Sequence, residues 1–221
     1  MNSFTSNYLN LFEEINKYSK NKPKVIVVTK SQNNNNILQI INAGHKEFGE
    51  NYVDEALKKI NYLSKYNLEW HFIGRLQSNK IKKICQNFHW IQTLSDEKHA
   101  NIINDECRKI NKKINICIQI NIDKEETKSG IYIDDLENFI DTIKNLKNLN
   151  VRGLMALPSK SNTLKQMSNS YSILRLAFDM YSNKVNTFDT LSLGMSNDFK
   201  IALEHGSNML RIGQYIFGER S

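Results

Sequence analysis

The chain has 221 residues, 40% hydrophobic and 24% charged, a balance that can bury a core and is not that of a disordered tail. No apolar run approaches the roughly 20 residues that cross a bilayer, and the N-terminus mixes acids and bases without the order of a signal peptide, so a cytoplasmic protein is expected. Lys and Arg outnumber Asp and Glu 30 to 23, a net charge of +7, but the lysines are scattered among Asn and Ile. Nucleic-acid backbone calls for a clustered stripe, so nucleic acid is not the expected partner.

In chain order, a helical segment over Phe4–Tyr18 precedes a first strand, Lys24–Thr29. Seven more strand-like runs follow: Lys46–Gly49, Trp70–Ile73, His89–Thr93, Ile114–Ile122, Val151–Leu157, Phe188–Leu193 and Met209–Ile212. Helical period fills the gaps. Val53, Ala56, Leu57, Ile60 and Leu63 step by three and four within Tyr52–Ser64, and a similar stripe runs through Ile133–Leu146. Eight alternations predict parallel strands joined by helical crossovers. Two prolines and nine glycines form no linker, so residues 1–221 read as one domain. The expected fold is a single (β/α)8 TIM-type barrel with one extra N-terminal helix. An open doubly wound sheet is the alternative, but Lys30–Asn36, after the first strand, contains no glycine and cannot supply GxGxxG. Cys85, Cys107 and Cys117, odd in number and without a CxxC pair, read as reduced, buried thiols rather than a disulfide framework or zinc site.

A barrel carries its chemistry at the C-terminal ends of its strands. Those ends read Lys30, Gly49-Glu50-Asn51-Tyr52, Gly74-Arg75, Thr93, Asn121, Met155, Gly194-Met195-Ser196 and Gly213-Gln214. Lys30 follows a β-branched run, and an amine at an apolar barrel mouth can attack a carbonyl; a lysine that merely caps a strand and reaches for water has the same local signature. Ser196 is expected as the N-cap of a helix bearing Phe199, Ala202 and Leu203, which would make an anion seat with its free N–H groups. Gly213, after Arg211-Ile212, would let backbone approach a ligand, and the loops after strands 7 and 8 are where this fold seats phosphate. An amine for a carbonyl and a seat for a phosphate are what pyridoxal 5′-phosphate requires. Arg211 could face its ring nitrogen; a phosphate clamp or a structural ion pair are its competing roles.

The stretches VIVVTK, FGENYVDEA, WHFIGRLQSNK, KSGI, RGLMALP, LSLGMSNDF and RIGQYIFGER run from the first strand to the last. Together they resemble the pyridoxal phosphate homeostasis proteins, a family related to the barrel domain of alanine racemase. The resemblance implies that Lys30 holds the cofactor as a Schiff base, that Asn51 lies beside it, and that Ser196, Gly213 and Gln214 hold its phosphate. It places Arg211 opposite the pyridine nitrogen. Family members often carry Thr or Ser at Gln214, so that contact is expected from backbone N–H or the longer amide. His71, Gln77, Asn79 and Lys80 match the family pattern without a role that their chemistry supplies; for His71 a hydrogen-bonded wall position is favoured over an acid or base.

Racemisation needs a base on each face of the substrate, and in alanine racemase the second comes from a separate C-terminal domain for which this sequence leaves no room. With Arg211 weakening the electron sink, the expectation is a protein that binds pyridoxal phosphate for vitamin B6 and amino-acid homeostasis without robust catalysis, serving PLP-dependent apoenzymes. Its alternatives are a low-rate amino-acid racemase, a nucleic-acid binder and a phosphosugar barrel enzyme. The outer helices show no large apolar patch, which favours a monomer, and Ser159–Ser170 reads as a loop over the site.

Overall fold

The β-branched run Lys24–Val28 forms β1, and seven strands follow it in parallel: β2 (Glu47–Glu50), β3 (Glu69–Phe72), β4 (Trp90–Leu94), β5 (Ile114–Ile120), β6 (Leu149–Ala156), β7 (Thr190–Ser192) and β8 (Met209–Ile212). They hydrogen-bond in sequence order and close on themselves, β8 pairing with β1 through Ile26↔Arg211 and Val27↔Ile212. This computed structural model describes residues 3–19, 21–159 and 161–219. The expected (β/α)8 barrel is present, with strand bounds shifted by at most two residues.

The helices are α1 (Ser3–Tyr18), α2 (Asn34–Asn42), α3 (Val53–Tyr62), α4 (Ile81–Asn87), α5 (Glu97–Lys109), α6 (Leu136–Ile143), α7 (Leu164–Ser182), α8 (Phe199–Glu204) and α9 (Gln214–Phe217). Those after β1 to β7 lay apolar stripes on the outer face of the sheet, where Val25, Val27, Ile37, Ile40 and Phe48 are buried in one continuous core. The extra helix α1 buries Leu11 and Ile15, each contributing roughly 1.5–3 kcal/mol. It also grips α9: Phe4 meets Phe217 edge-on at 5.6 Å, and the Asn7 side-chain amide donates to Ile216 O at 3.0 Å.

Three expectations change. Ser159–Ser170 is mostly the start of α7, capped by Thr163, and is tied down by Asp123, which accepts from Asn162 and Ser170 and from the Ser159 N–H; Lys160 lies outside the described residues. Met155 is not at the rim: its side chain is packed inside the barrel with Ile26, Trp90, Cys117 and Met209, because inward and outward positions alternate along β6. The outer surface is not uniformly polar either, since Ile173, Leu176 and Met180 are exposed along one face of α7. All three cysteines are free and buried, and no helix among the described residues is long and apolar enough to cross a membrane.

The N-terminal mouth of the barrel is closed by charge over an aromatic. Lys24 pairs with Glu69 at 2.8 Å, Arg152 pairs with Asp189, and both cations lie over the Trp90 ring. Above them His71 stacks on Trp90 and bonds Glu69 through Nε2 at 2.8 Å. Burial pulls the His71 pKa down to about 4 despite the carboxylate beside it. The unfolded chain, with histidine near 6.5, therefore takes up a proton that the folded chain refuses between pH 6.5 and 4. The stability that neutral His71 carries should be complete above pH 6.5 and fall by about 3 kcal/mol as pH drops to 4. Urea denaturation from pH 7.5 to 4 should show this slope, and His71→Gln should lack that share of it.

Candidate functional site

Lys30 sits in the turn that leaves β1, and the structure fixes that turn from both sides. Thr29, buried behind it, donates its hydroxyl to Glu50 at 2.6 Å. The Lys59 ammonium, also buried, bonds Thr29 O at 2.6 Å, Glu50 at 2.7 Å and Glu55 at 2.6 Å. Glu55 in turn accepts the Ser31 N–H at 2.6 Å. Burial pushes the Glu50 carboxyl up from its usual range, opposed by Lys59 and Thr29. Ser31 takes φ of 63°, the left-handed region that a β-branched residue would resist. The clamp thus holds the backbone on either side of Lys30 in one conformation.

Across the seam, Arg211 projects from β8 and is 4% exposed. It meets no carboxylate. Nη1 donates to Ser192 O at 2.7 Å and to Ser192 Oγ at 2.5 Å, and Nη2 donates to Ala156 O at 2.8 Å. Of its five N–H bonds, three are thus spent and two remain. Burial pulls the guanidinium pKa below its ordinary value, although arginine still carries its charge near neutral pH.

The loops after β7 and β8 meet one residue further up. Ser196 is not the N-cap of α8. That helix begins at Phe199, with Asp198 at the cap position; Asp198 is buried, accepts the Met195 N–H at 2.6 Å and takes the Tyr171 hydroxyl, a bond that lets burial push the tyrosine pKa further up. Ser196 instead spans the two loops, its Oγ accepting the Tyr215 N–H at 3.0 Å at the start of α9. Gly194, at φ of 92°, lets the first loop fold onto α8, where a Cβ would come within 2.7 Å of Ala202. Gly213 does the same for the second: a Cβ there would sit 3.2 Å from Val28 O, so its bare backbone packs on β1. The N–H groups of Gly213 and Gln214 precede the first intrahelical bonds, from Ile216 and Phe217 to Gly213 O, as the orphan donors of a helix start. The Gln214 side chain is exposed and points to Glu219, 3.3 Å away.

Asn51 lies at the other flank. Its Oδ1 is buried without a hydrogen-bond partner, and the residue lines a cavity of about 300 Å³ with Gly74, Arg75, Thr93, Gln119 and Asn121. Thr93, Gln119 and Asn121 spend their side chains on the walls, bonding Gly74 O, Ser129 O and Glu125 O. The fold therefore brings Lys30, Asn51, Ser196, Arg211, Gly213 and Gln214 to one rim, from four strand ends. It also adds residues to which the sequence reading gave no role: Glu50, Lys59, Ser192, Asp198 and Gln92. Glu50 stood in the strand-end group Gly49–Tyr52, Ser192 and Asp198 stood inside LSLGMSNDF, and Gln92 is a long polar side chain in a wholly buried strand; the distant pairing of Lys59 with Thr29 left no local signal. Among the described residues no cluster of His, Cys, Asp and Glu could hold a metal.

The alanine racemase N-terminal domain family matches residues 4–221. The pyridoxal phosphate homeostasis protein of Buchnera aphidicola from Schizaphis graminum is 42% identical over 207 residues, 93% of this chain and 90% of that protein. Its counterpart in Buchnera aphidicola from Acyrthosiphon pisum is 44% identical over 197 residues, 89% and 98% of the two chains. PipY of Synechococcus elongatus, solved with PLP bound, superposes with a TM-score of 0.87 at 25% identity over 97% of this chain and 100% of its own. The chain belongs to the pyridoxal phosphate homeostasis proteins, within the alanine racemase N-terminal domain family.

Proposed function

We propose that this protein binds pyridoxal 5′-phosphate and works in its homeostasis, and in that of amino acids, as a holder rather than an efficient enzyme. The observation that carries the reading is the β1–β8 seam, which sets the strand that leads into Lys30 beside the strand that carries Arg211, a guanidinium bonded to carbonyls and a hydroxyl, next to two glycine-bearing loops. The residues fit the group. The donors before α9, together with the Ser196 hydroxyl, suit a phosphate; the unpartnered Asn51 oxygen and the two unspent Arg211 N–H bonds suit a polar ring.

When bound, pyridoxal phosphate supplies an electrophilic aldehyde and an electron-accepting ring. Lys30 offers the amine that retains the aldehyde, and the Thr29–Glu50–Lys59 clamp orients it. Arg211 can donate to the ring nitrogen but cannot give it a proton at any ordinary pH, so it leaves the ring a weak sink for a carbanion. That supports carriage over catalysis. On this reading the protein is a monomer that exchanges cofactor with PLP-dependent apoenzymes in the cytoplasm.

The purified protein should show a near-visible absorbance band that Lys30→Ala abolishes; a wild type that stays colourless after pyridoxal phosphate is added sinks the proposal. Release of α-deuterium from a panel of amino acids should not exceed the rate with free pyridoxal phosphate, and a clear excess would make the protein an enzyme. Lys59→Met strands Glu50 in the interior and should cost about 3–5 kcal/mol of stability by chemical denaturation, with much of it recovered in the Glu50→Gln/Lys59→Met double variant.

A further inference from the structure

One hydrogen-bonded line of polar side chains crosses the barrel interior. From the site inward, Arg211 Nη1 donates to Ser192 Oγ at 2.5 Å, and the Ser192 hydroxyl donates to Gln92 Oε1 at 2.7 Å. Gln92 Nε2 reaches His71 Nδ1 at 3.0 Å, His71 Nε2 reaches Glu69 at 2.8 Å, and Lys24 donates to the same Glu69 oxygen at 2.8 Å. Arg211, Ser192, Gln92 and His71 are all buried.

The direction of every bond is forced by the ends. Arginine only donates, so Ser192 must accept from it and can send its single proton only to Gln92. Having accepted with its oxygen, the Gln92 amide turns its NH2 to His71, which must receive it on Nδ1 and carry its own proton on Nε2. Glu69 receives that proton and the Lys24 proton as a carboxylate. The chain is head-to-tail from the site to the opposite mouth, an arrangement in which each bond polarises the next. An arginine held by a bidentate carboxylate would keep its orientation without help; this one is held by two backbone carbonyls and one hydroxyl.

We infer that Ser192 and Gln92 are positioning residues for Arg211, and that the chain they form with His71 and Glu69 fixes the guanidinium so that its two remaining N–H bonds serve the cofactor. This rests on the functional reading above, in which Arg211 faces the ring nitrogen. Alanine at Ser192 leaves a guanidinium N–H and the Gln92 oxygen buried without partners. The guanidinium then rotates toward other carbonyls, and the amide is free to flip and withdraw its NH2 from His71 Nδ1, while Glu69, which only accepts, keeps the His71 proton on Nε2.

The test uses the full-length protein with Ser192→Ala, Ser192→Thr, Gln92→Leu and, as a control, Arg211→Met. Pyridoxal phosphate affinity and the position of the near-visible band are read with cofactor, and the His71 side-chain 15N resonances are read without it. The expected result is about tenfold weaker binding and a moved band for Ser192→Ala and Gln92→Leu. Ser192→Ala should also move the His71 Nδ1 resonance, as the Gln92 amide no longer donates to it, while Ser192→Thr, which keeps the hydroxyl, behaves like wild type. If Arg211→Met changes affinity and band but Ser192→Ala and Gln92→Leu stay within about twofold of wild type, the inference is overturned and the functional reading stands. A wild type that binds no pyridoxal phosphate overturns both. Loss of affinity in Ser192→Thr equal to that in Ser192→Ala would assign the effect to packing and overturn the inference as well.

Discussion

The site depends on the pairing of the first strand with the last. Lys30 and Arg211 lie near opposite ends of the sequence, and closure of the barrel through Ile26↔Arg211 and Val27↔Ile212 sets the strands that carry them side by side. Closure in turn needs backbone contact at the rim, which Gly213 allows by presenting no Cβ to Val28 O. The extra helix α1 reinforces the same seam from outside, because its Phe4 and Asn7 hold α9, the short helix that begins at Gly213. Three separate features of the chain therefore converge on one junction. A long-range parallel pairing is costly in loop entropy, and it is the apolar burial of all eight strands that makes it worth forming.

A second constraint follows from filling a barrel. The interior takes a limited number of side chains, and most are apolar here: Ile26, Trp90, Cys117, Met155 and Met209. Each polar residue placed among them must be fully bonded, since an unpartnered buried group costs about 1–3 kcal/mol. The solution is to make the polar residues one another's partners. Charge is confined to the two mouths, with Lys24, Glu69, Arg152 and Asp189 at one and Arg211 near the other, and neutral groups join them. His71 can serve as a link only while it is neutral, which its burial ensures.

Much of this architecture was legible in the sequence, and the parts that were not share a cause. Strand and helix alternation is a local signal, so the eight β/α units and the N-terminal helix could be counted from β-branched runs and three–four spacing. The rim residues followed from knowing which strand ends face one mouth. Ser196 was placed on the right loop but given the wrong partner: its neighbour Asp198 takes the cap position, and the hydroxyl reaches instead to a turn on the next strand. Met155 lies inside rather than at the rim, and the consecutive apolar residues Leu154, Met155, Ala156 and Leu157 hide the inward–outward alternation. The exposed α7 stripe of Ile173, Leu176 and Met180 departs from the expected patch-free outer helices, as periodicity reports amphipathicity and not what covers it. Lys59 shows the limit most plainly. On its helix it reads as one more solvated lysine, and only the fold reveals that it is buried against Glu50 and Thr29.

The choice of arginine at the end of β8 links these constraints to function. A carboxylate there would share a buried site with the long-range field of Asp198 and would need its own counter-cation. An arginine can be satisfied by what the barrel already offers, the carbonyls of Ser192 and Ala156 and one hydroxyl. The cost is chemical. A guanidinium donates and does not accept, so the group that solves the packing and hydrogen-bonding problem is also one that weakens a pyridoxal ring as an electron sink. On the proposed reading that weakness is useful: retention would fall to Lys30 and the backbone donors before α9, whereas unwanted carbanion chemistry would need the ring nitrogen. The same buried arginine can thus serve stability and restraint at once.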